Sequence, residues 1–214
     1  MFSNCPIVST DQIARYFTNN QPNKRASDML CKLQDEKLIE GLNRGLAGKT
    51  KVWRLTKKGR DSLGVTWKPI PLTSGKVDHW LGLADCWYHL NNKGQLIRWK
   101  TELREKFGDR FKFCADAFFA VRTDNGVSIG FIEYQRTDMT TTRWGEKWAI
   151  VSAFMDSEEW KNASFQDFRN GHGQPTIIKP ASVKIFVVSH QQPTTIQGGS
   201  KLPLTIVRDT THLG

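Results

Sequence analysis

The sequence predicts an α+β chain of two units, and three observations predict it. Residues 1–64 run helix, turn, helix and then two strand-like pieces around a basic stretch. Residues 78–190 run helix, strand, strand, strand, helix, strand. Between them, VTWKPIPLTSGKV (65–77) holds two prolines and little apolar periodicity, the composition of a linker. Charge divides the same way. Residues 1–68 carry 13 Lys or Arg against 6 Asp or Glu, whereas the whole chain carries 31 against 21. With 38% hydrophobic residues and 8 Trp among 214 residues, the chain can bury a core.

The elements follow in order. STDQIARYF (9–17) reads as a short helix that Ser9 or Thr10 can cap, because a hydroxyl accepts a bond from an orphan backbone N–H. Ile13, Ala14 and Phe17 would share its apolar face. NNQPN is a turn. Residues 23–39 place Ala26, Met29, Leu30, Leu33 and Leu38 at helical spacing. LIEGLNR and KVWRLT are strand-like around the flexible GLAGKT, and TKKGRDSLG closes the unit as a short helix. In the second domain, Trp80, Leu83, Ala84, Trp87 and Leu90 form one helical stripe. LIRWKTELRE is a strand or a mixed element, FKFCADAFFAVR a strand, and TDNG a hairpin turn with Asn125-Gly126 suited to positive φ. VSIGFIEYQRT is the partner strand, 139–155 a helix and SVKIFVVS a buried strand. The tail, 191–214, holds one more strand pattern at LPLTIV.

Helix, turn, helix and basic hairpin is the order of a winged helix. Residues 41–60 contain seven Lys or Arg and no acid, a focused positive field that suits a phosphate backbone. The second helix would enter the major groove by its N-terminal end, with Asn23, Lys24, Arg25 and Ser27. The hairpin would lay Arg44, Lys49, Lys51 and Arg54 along phosphates or the minor groove. The competing reading is a solvated amphipathic helix with a charged loop. Only eight residues precede Ser9, where a winged helix usually has another helix. The module is therefore minimal, borrows packing from the second domain, or needs a dimer partner.

Two acids interrupt apolar strands: Asp116 in CADAFF and Glu133 in GFIEYQ. Such a carboxylate is paired, faces solvent or binds metal, because a lone buried charge is costly. Pairing across the TDNG turn puts Asp116 roughly opposite the Glu133 region, and Gln135 shares the face of Glu133. Asp with Glu-x-Gln can hold Mg²⁺ through hard oxygens. The ion would polarise a phosphate and generate hydroxide.

At these residues the chain resembles the PD-(D/E)XK, restriction-endonuclease-like fold. More closely, it is similar to the replication-relaxation family of plasmids and integrative elements, which joins a winged helix to such a domain. The matching pieces are ASDMLCKLQDEKLIE, WRLTKKGR, DHWLGLADCWYHL, ADAFF, FIEYQRT and RWGEKW, over roughly residues 9–190. The resemblance implies a cluster of Asp116, Glu133 and Lys147, with Gln135 where an acidic residue is usual and Glu102 as a further member. Arg143, one helical turn before Lys147, would neutralise a scissile phosphate. Asp116 and Glu133 would be the metal ligands, for Mg²⁺ or Mn²⁺. The competing reading is a salt-bridged core in which Glu133 pairs with Lys147 or Arg143.

The resemblance implies a double-stranded DNA partner, a homodimer or a replication or relaxase protein as further partner, and a setting in plasmid or element replication, mobilisation or DNA relaxation. The activity would be that of a Mg-dependent endonuclease or nickase, or of an inactive relative. A non-enzymatic transcription regulator is the rival. Four scattered cysteines without a CxxC pair read as free thiols of a reducing cytoplasm rather than a zinc site. No apolar run approaches the roughly 20 residues of a membrane span, and MFSNCPIVSTDQ lacks the pattern of a signal peptide.

Overall fold

The computed structural model describes residues 1–18, 23–42, 51–65, 74–92, 96–107, 111–135, 140–157, 159, 168–169, 175–176, 180–189 and 204–207. It is mixed α and β, and it divides into two compact units, Met1–Tyr88 and His89–Gly214.

In the first unit, β1 (Ile7–Ser9) leads into α1 (Thr10–Phe17), followed by α2 (Asn23–Asp35), β2 (Ile39–Leu42), β3 (Val52–Leu55) and α3 (Lys57–Ser62). The strands form an antiparallel sheet in the order β1-β3-β2, with Ile7↔Arg54 on one side of β3 and Glu40↔Arg54 on the other. β1 is too short to carry a period, and the sequence pattern does not reveal it. Ser9 ends β1 and caps α1. Its hydroxyl accepts the Gln12 N–H and the Gln12 side chain accepts the Ser9 N–H, a capping box that satisfies two backbone donors. Thr10 instead accepts the Trp53 indole N–H at 2.9 Å. Ile13 and Ala14 are buried as expected, but Phe17 is 53% exposed and Tyr16 is buried in its stead. On α2, Ala26 and Leu30 are buried, while Met29 is 40% exposed.

The expected linker and domain boundary are corrected by α4 (Ser74–Asn92), which begins inside the predicted linker. Its residues up to Tyr88 belong to the first unit. The Gln12 side-chain amide donates to the Leu81 carbonyl at 2.8 Å and to Asp85 at 2.9 Å. Tyr16 stacks on Tyr88 with ring centroids 3.5 Å apart. The helix expected to open the second domain thus supplies the packing partner that a two-helix module lacks. All five residues of its predicted stripe are buried.

The second unit holds β4 (Leu96–Phe107), β5 (Phe111–Thr123), β6 (Gly126–Gln135), α5 (Thr141–Asp156), β7 (Phe168–Arg169), β8 (Pro175–Thr176), β9 (Pro180–Ser189) and β10 (Leu204–Val207). A five-stranded sheet has the order β10-β9-β6-β5-β4. β4, β5 and β6 pair antiparallel, and β9 and β10 add parallel. β7 and β8 form a separate pair that the sequence pattern does not show. The β5–β6 turn closes on Asp124 and Asn125, and its positive φ (119°) falls on Gly126 alone. Phe113, Phe118, Phe131 and Leu103 form a core with Trp144, Trp148, Val151 and Phe154 of α5. On the opposite face the Phe119 ring fills the space above Gly130, where a Cβ would lie 2.3 Å from it. Among the described residues no helix is long and apolar enough to cross a membrane.

Candidate functional site

Each unit carries one candidate site. In the first, the predicted DNA-contact residues separate into groups. Lys24 and Arg25 are exposed at the start of α2, and Ser27 is half-buried. The helix includes Asn23, whereas Arg44 and Lys49 lie outside the described residues. Lys51 places its ammonium 4.0 Å from the centre of the Trp53 ring and 3.5 Å from Gln34 Oε1. Arg54, expected along phosphates, has an ion-pair partner within the unit. It faces Glu40 across the sheet, and its Nε donates to Oε1 at 2.6 Å. The register that pairs β2 with β3 makes that ion pair. Other cations of the basic stretch are engaged locally: Lys57 with Asp61, Lys58 with the Glu36 carbonyl and Arg60 with the Leu55 carbonyl. The exposed cations of α2 are Lys24, Arg25 and Lys32.

In the second unit, the sheet brings three of the predicted residues together. Ala117↔Ile132 is the last pair of the β5–β6 ladder, just before Asp116 and Glu133. Asp116 Oδ2 then accepts the Tyr134 backbone N–H at 2.8 Å, continuing the ladder with a side chain. Lys147 reaches down from α5 and pairs with Glu133.

Glu133 is only 2% exposed. Burial pushes its carboxyl up from the ordinary 4.5 to about 8. The neighbouring Asp116 charge adds to the rise, and Lys147 opposes it.

A backbone break positions this cluster. The β4–β5 ladder passes from Thr101↔Ala117 to Leu103↔Ala115, with Glu102 and Asp116 between. Glu102 has φ 49°, the left-handed region that a non-glycine side chain rarely adopts. On β5 the core residues are Phe113 and Ala115 before Asp116, but Phe118 and Ala120 after it. The face of the strand therefore switches there, and Asp116 keeps the orientation of Phe118, toward α5. Glu102 shares the row of Asp116, but its side chain is exposed. Gln135 is half-buried on the Glu133 face, and Arg143 is exposed in the first turn of α5. Trp144 and Trp148 are core residues, stacked at 5.3 Å.

As donors, Asp116 and Glu133 offer hard oxygens that fit Mg²⁺ or Mn²⁺ in kind. Lys147 stands on the same Glu133 carboxylate, so ion and ammonium would compete for it. Among the described residues, no group of three or more acidic, His or Cys side chains gathers to hold a metal ion. Sequence reasoning missed Gln12 and Asp85, the polar link between α1 and α4. The signal for half of it was present, since Ser9-x-x-Gln12 is a capping-box spacing.

No protein-family model matches the chain, and no curated protein matches it. Among solved structures, the protein VC1899 from Vibrio cholerae is similar at a TM-score of 0.37 and 11% identity. The match covers 90% of this chain and 42% of that one, and at that TM-score it assigns neither fold nor function.

Proposed function

We propose that the protein binds duplex DNA through its first unit, acting as a winged helix, and that its second unit is a nuclease-like fold. The observation that carries this reading is the outward face of α2. Lys24, Arg25 and Lys32 are exposed there, while the opposite face buries Ala26 and Leu30 in the unit. The charge of residues 1–68 supports it, with 13 basic against 6 acidic side chains. The reading moves the DNA-facing surface from the hairpin toward the helix, because Arg54 is engaged by Glu40. The plasmid and mobile-element setting is the part of the proposal that rests on the family resemblance.

The test is the salt dependence of duplex binding by the full chain. For each phosphate that a Lys24→Ala/Lys32→Ala variant no longer neutralises, the slope of log Kobs against log salt falls by roughly 0.9. An unchanged slope with unchanged affinity rejects α2 as the DNA-facing element.

A second reading, a metal-dependent endonuclease or nickase, is favoured by the meeting of Asp116, Glu133 and Lys147. Asp116 and Glu133 would hold the divalent ion, which supplies phosphate polarisation and a water nucleophile. Lys147 would hold charge beside it. Supercoiled plasmid incubated with Mg²⁺, Mn²⁺ or EDTA, beside an Asp116→Ala variant, tests it. Nicking by the wild type that EDTA and the substitution both abolish supports the enzyme. Intact plasmid in every arm leaves the cluster as a salt-bridged core.

A further inference from the structure

The end of the β4–β5 hairpin carries a charge arrangement that works against its own folding. Lys106 and Lys112 stand directly opposite each other in the antiparallel ladder, and Arg104 lies two residues along, opposite Cys114. Residues so placed have Cβ atoms about 5 Å apart, and like charges there destabilise a sheet. All four side chains are exposed. They share the face turned away from α5, because Leu103 and Phe107 on β4 and Phe113 and Ala115 on β5 alternate with them and lie in the core beneath that helix. Further along β5 the same face is covered, since Ala117 and Phe119 are buried. The uncovered part begins at the backbone break of Glu102 and Asp116.

The acids of β4 do not balance this patch. Glu105 points to the core side, with Lys100 at 3.9 Å. Glu102, at the break, is one carboxylate against three cations. Among the described residues, Arg104, Lys106 and Lys112 have no ion-pair partner.

We propose that this face is a second duplex contact, on which Arg104, Lys106 and Lys112 follow the phosphate backbone without reading sequence. The proposal rests on the duplex-binding reading above and adds a surface in the second unit. Arg104 and Lys106 are spaced about 7 Å along the strand, and such a row of cations suits a polyanion whose charge repeats along its length. A small anion needs a concave cradle, whereas these side chains stand open on a sheet face. The patch also lacks the large apolar side chains of a membrane anchor or a protein-interface core. Among the described residues the exposed ones are Phe17, Met29, Leu63 and Ile97, all outside it. Asp116 and Lys147 lie on the α5 side of the sheet, so this contact anchors the duplex rather than presenting it to the carboxyl cluster.

Lys112→Glu in the full chain separates this role from folding. It turns a like-charge pair into an opposite-charge pair, so the melting temperature of the free protein stays level or rises. Duplex affinity falls, and the slope of log Kobs against log salt becomes shallower by roughly 0.9 or more. An Arg104→Gln/Lys106→Gln/Lys112→Gln variant, which adds no negative charge, lowers the slope by up to about 2.7 for three phosphates. Its loss is equal on unrelated duplex sequences and adds to that of the Lys24→Ala/Lys32→Ala variant.

Wild-type slope and affinity in both patch variants, with the α2 variant weakened, overturn the proposal and leave the first-unit reading standing. Weakening in the patch variants but not in the α2 variant keeps this contact and rejects α2. Patch variants that lose binding to polyglutamate but keep duplex binding overturn the proposal in favour of an acidic protein partner. A lower melting temperature for Lys112→Glu gives Lys112 a structural role and overturns it too. No duplex binding by the wild type at low salt overturns both readings.

Discussion

Glu133 shows what one buried carboxyl does to the chemistry around it. Its pKa is raised in the folded chain, so the folded state holds a proton that the unfolded state releases. Stability from this group is complete below about pH 4.5 and is lost as the pH rises towards about 8. The slope for one such proton is at most about 1.4 kcal/mol per pH unit. Thermal melts of wild type and Glu133→Gln between pH 5 and 8 check it. The wild type loses stability with rising pH relative to the variant, which has no proton there to lose. Parallel curves reject the assignment. At this scale the sequence was partly legible. Asp116 and Glu133 stand out because acids seldom interrupt apolar strands, and Lys147 follows from its place on the next helix. The pairing of Arg54 with Glu40 was not legible, because strand register sets it and a run of basic residues does not encode register.

Among the elements, α1 depends on two polar residues whose roles differ. The Ser9 hydroxyl serves the local cap, so Ser9→Ala costs about 0.5–2 kcal/mol. Gln12 returns the capping bond to Ser9 and also holds α4 through Leu81 and Asp85. Gln12→Ala removes the returned capping bond and both part-buried bonds to α4, and so costs more than Ser9→Ala, at about 0.5–1.5 kcal/mol for each hydrogen bond lost. Urea unfolding of the two variants ranks them, and equal losses remove the bridging role. Long periodic elements were legible from sequence, as were the capping box and the TDNG turn. β1 was not, because three residues show no alternation. β4 was ambiguous because Glu102 breaks its regular backbone, so its pattern matches neither a clean strand nor a helix.

For the whole molecule, the boundary between units falls within α4 and not in the proline-bearing segment before it. Composition locates a segment that lacks a repeating pattern. It does not report which neighbour a helix packs against, since that depends on Gln12, Arg15 and Tyr16 meeting Asp85 and Tyr88 across a long sequence separation. A fragment of residues 1–92 therefore melts cooperatively, whereas 1–68 lacks α4 and melts broadly or not at all. Calorimetry of the two fragments checks this, and equal cooperative transitions would return the boundary to the linker.

β4 closes one side of the five-stranded sheet, and its twelve residues make it a long edge. A straight edge of that length is a template on which other chains can grow as cross-β stacks. The left-handed φ of Glu102 interrupts the regular backbone of that edge, and the exposed side chains of Lys100, Glu102, Arg104 and Lys106 line it with charge. The break that aims Asp116 inward is also a guard against aggregation. Glu102→Val favours a continuous strand and removes a charge. Its expected outcome is growing light scatter and thioflavin binding in concentrated solution, while Glu102→Gly, which keeps the turn, stays clear.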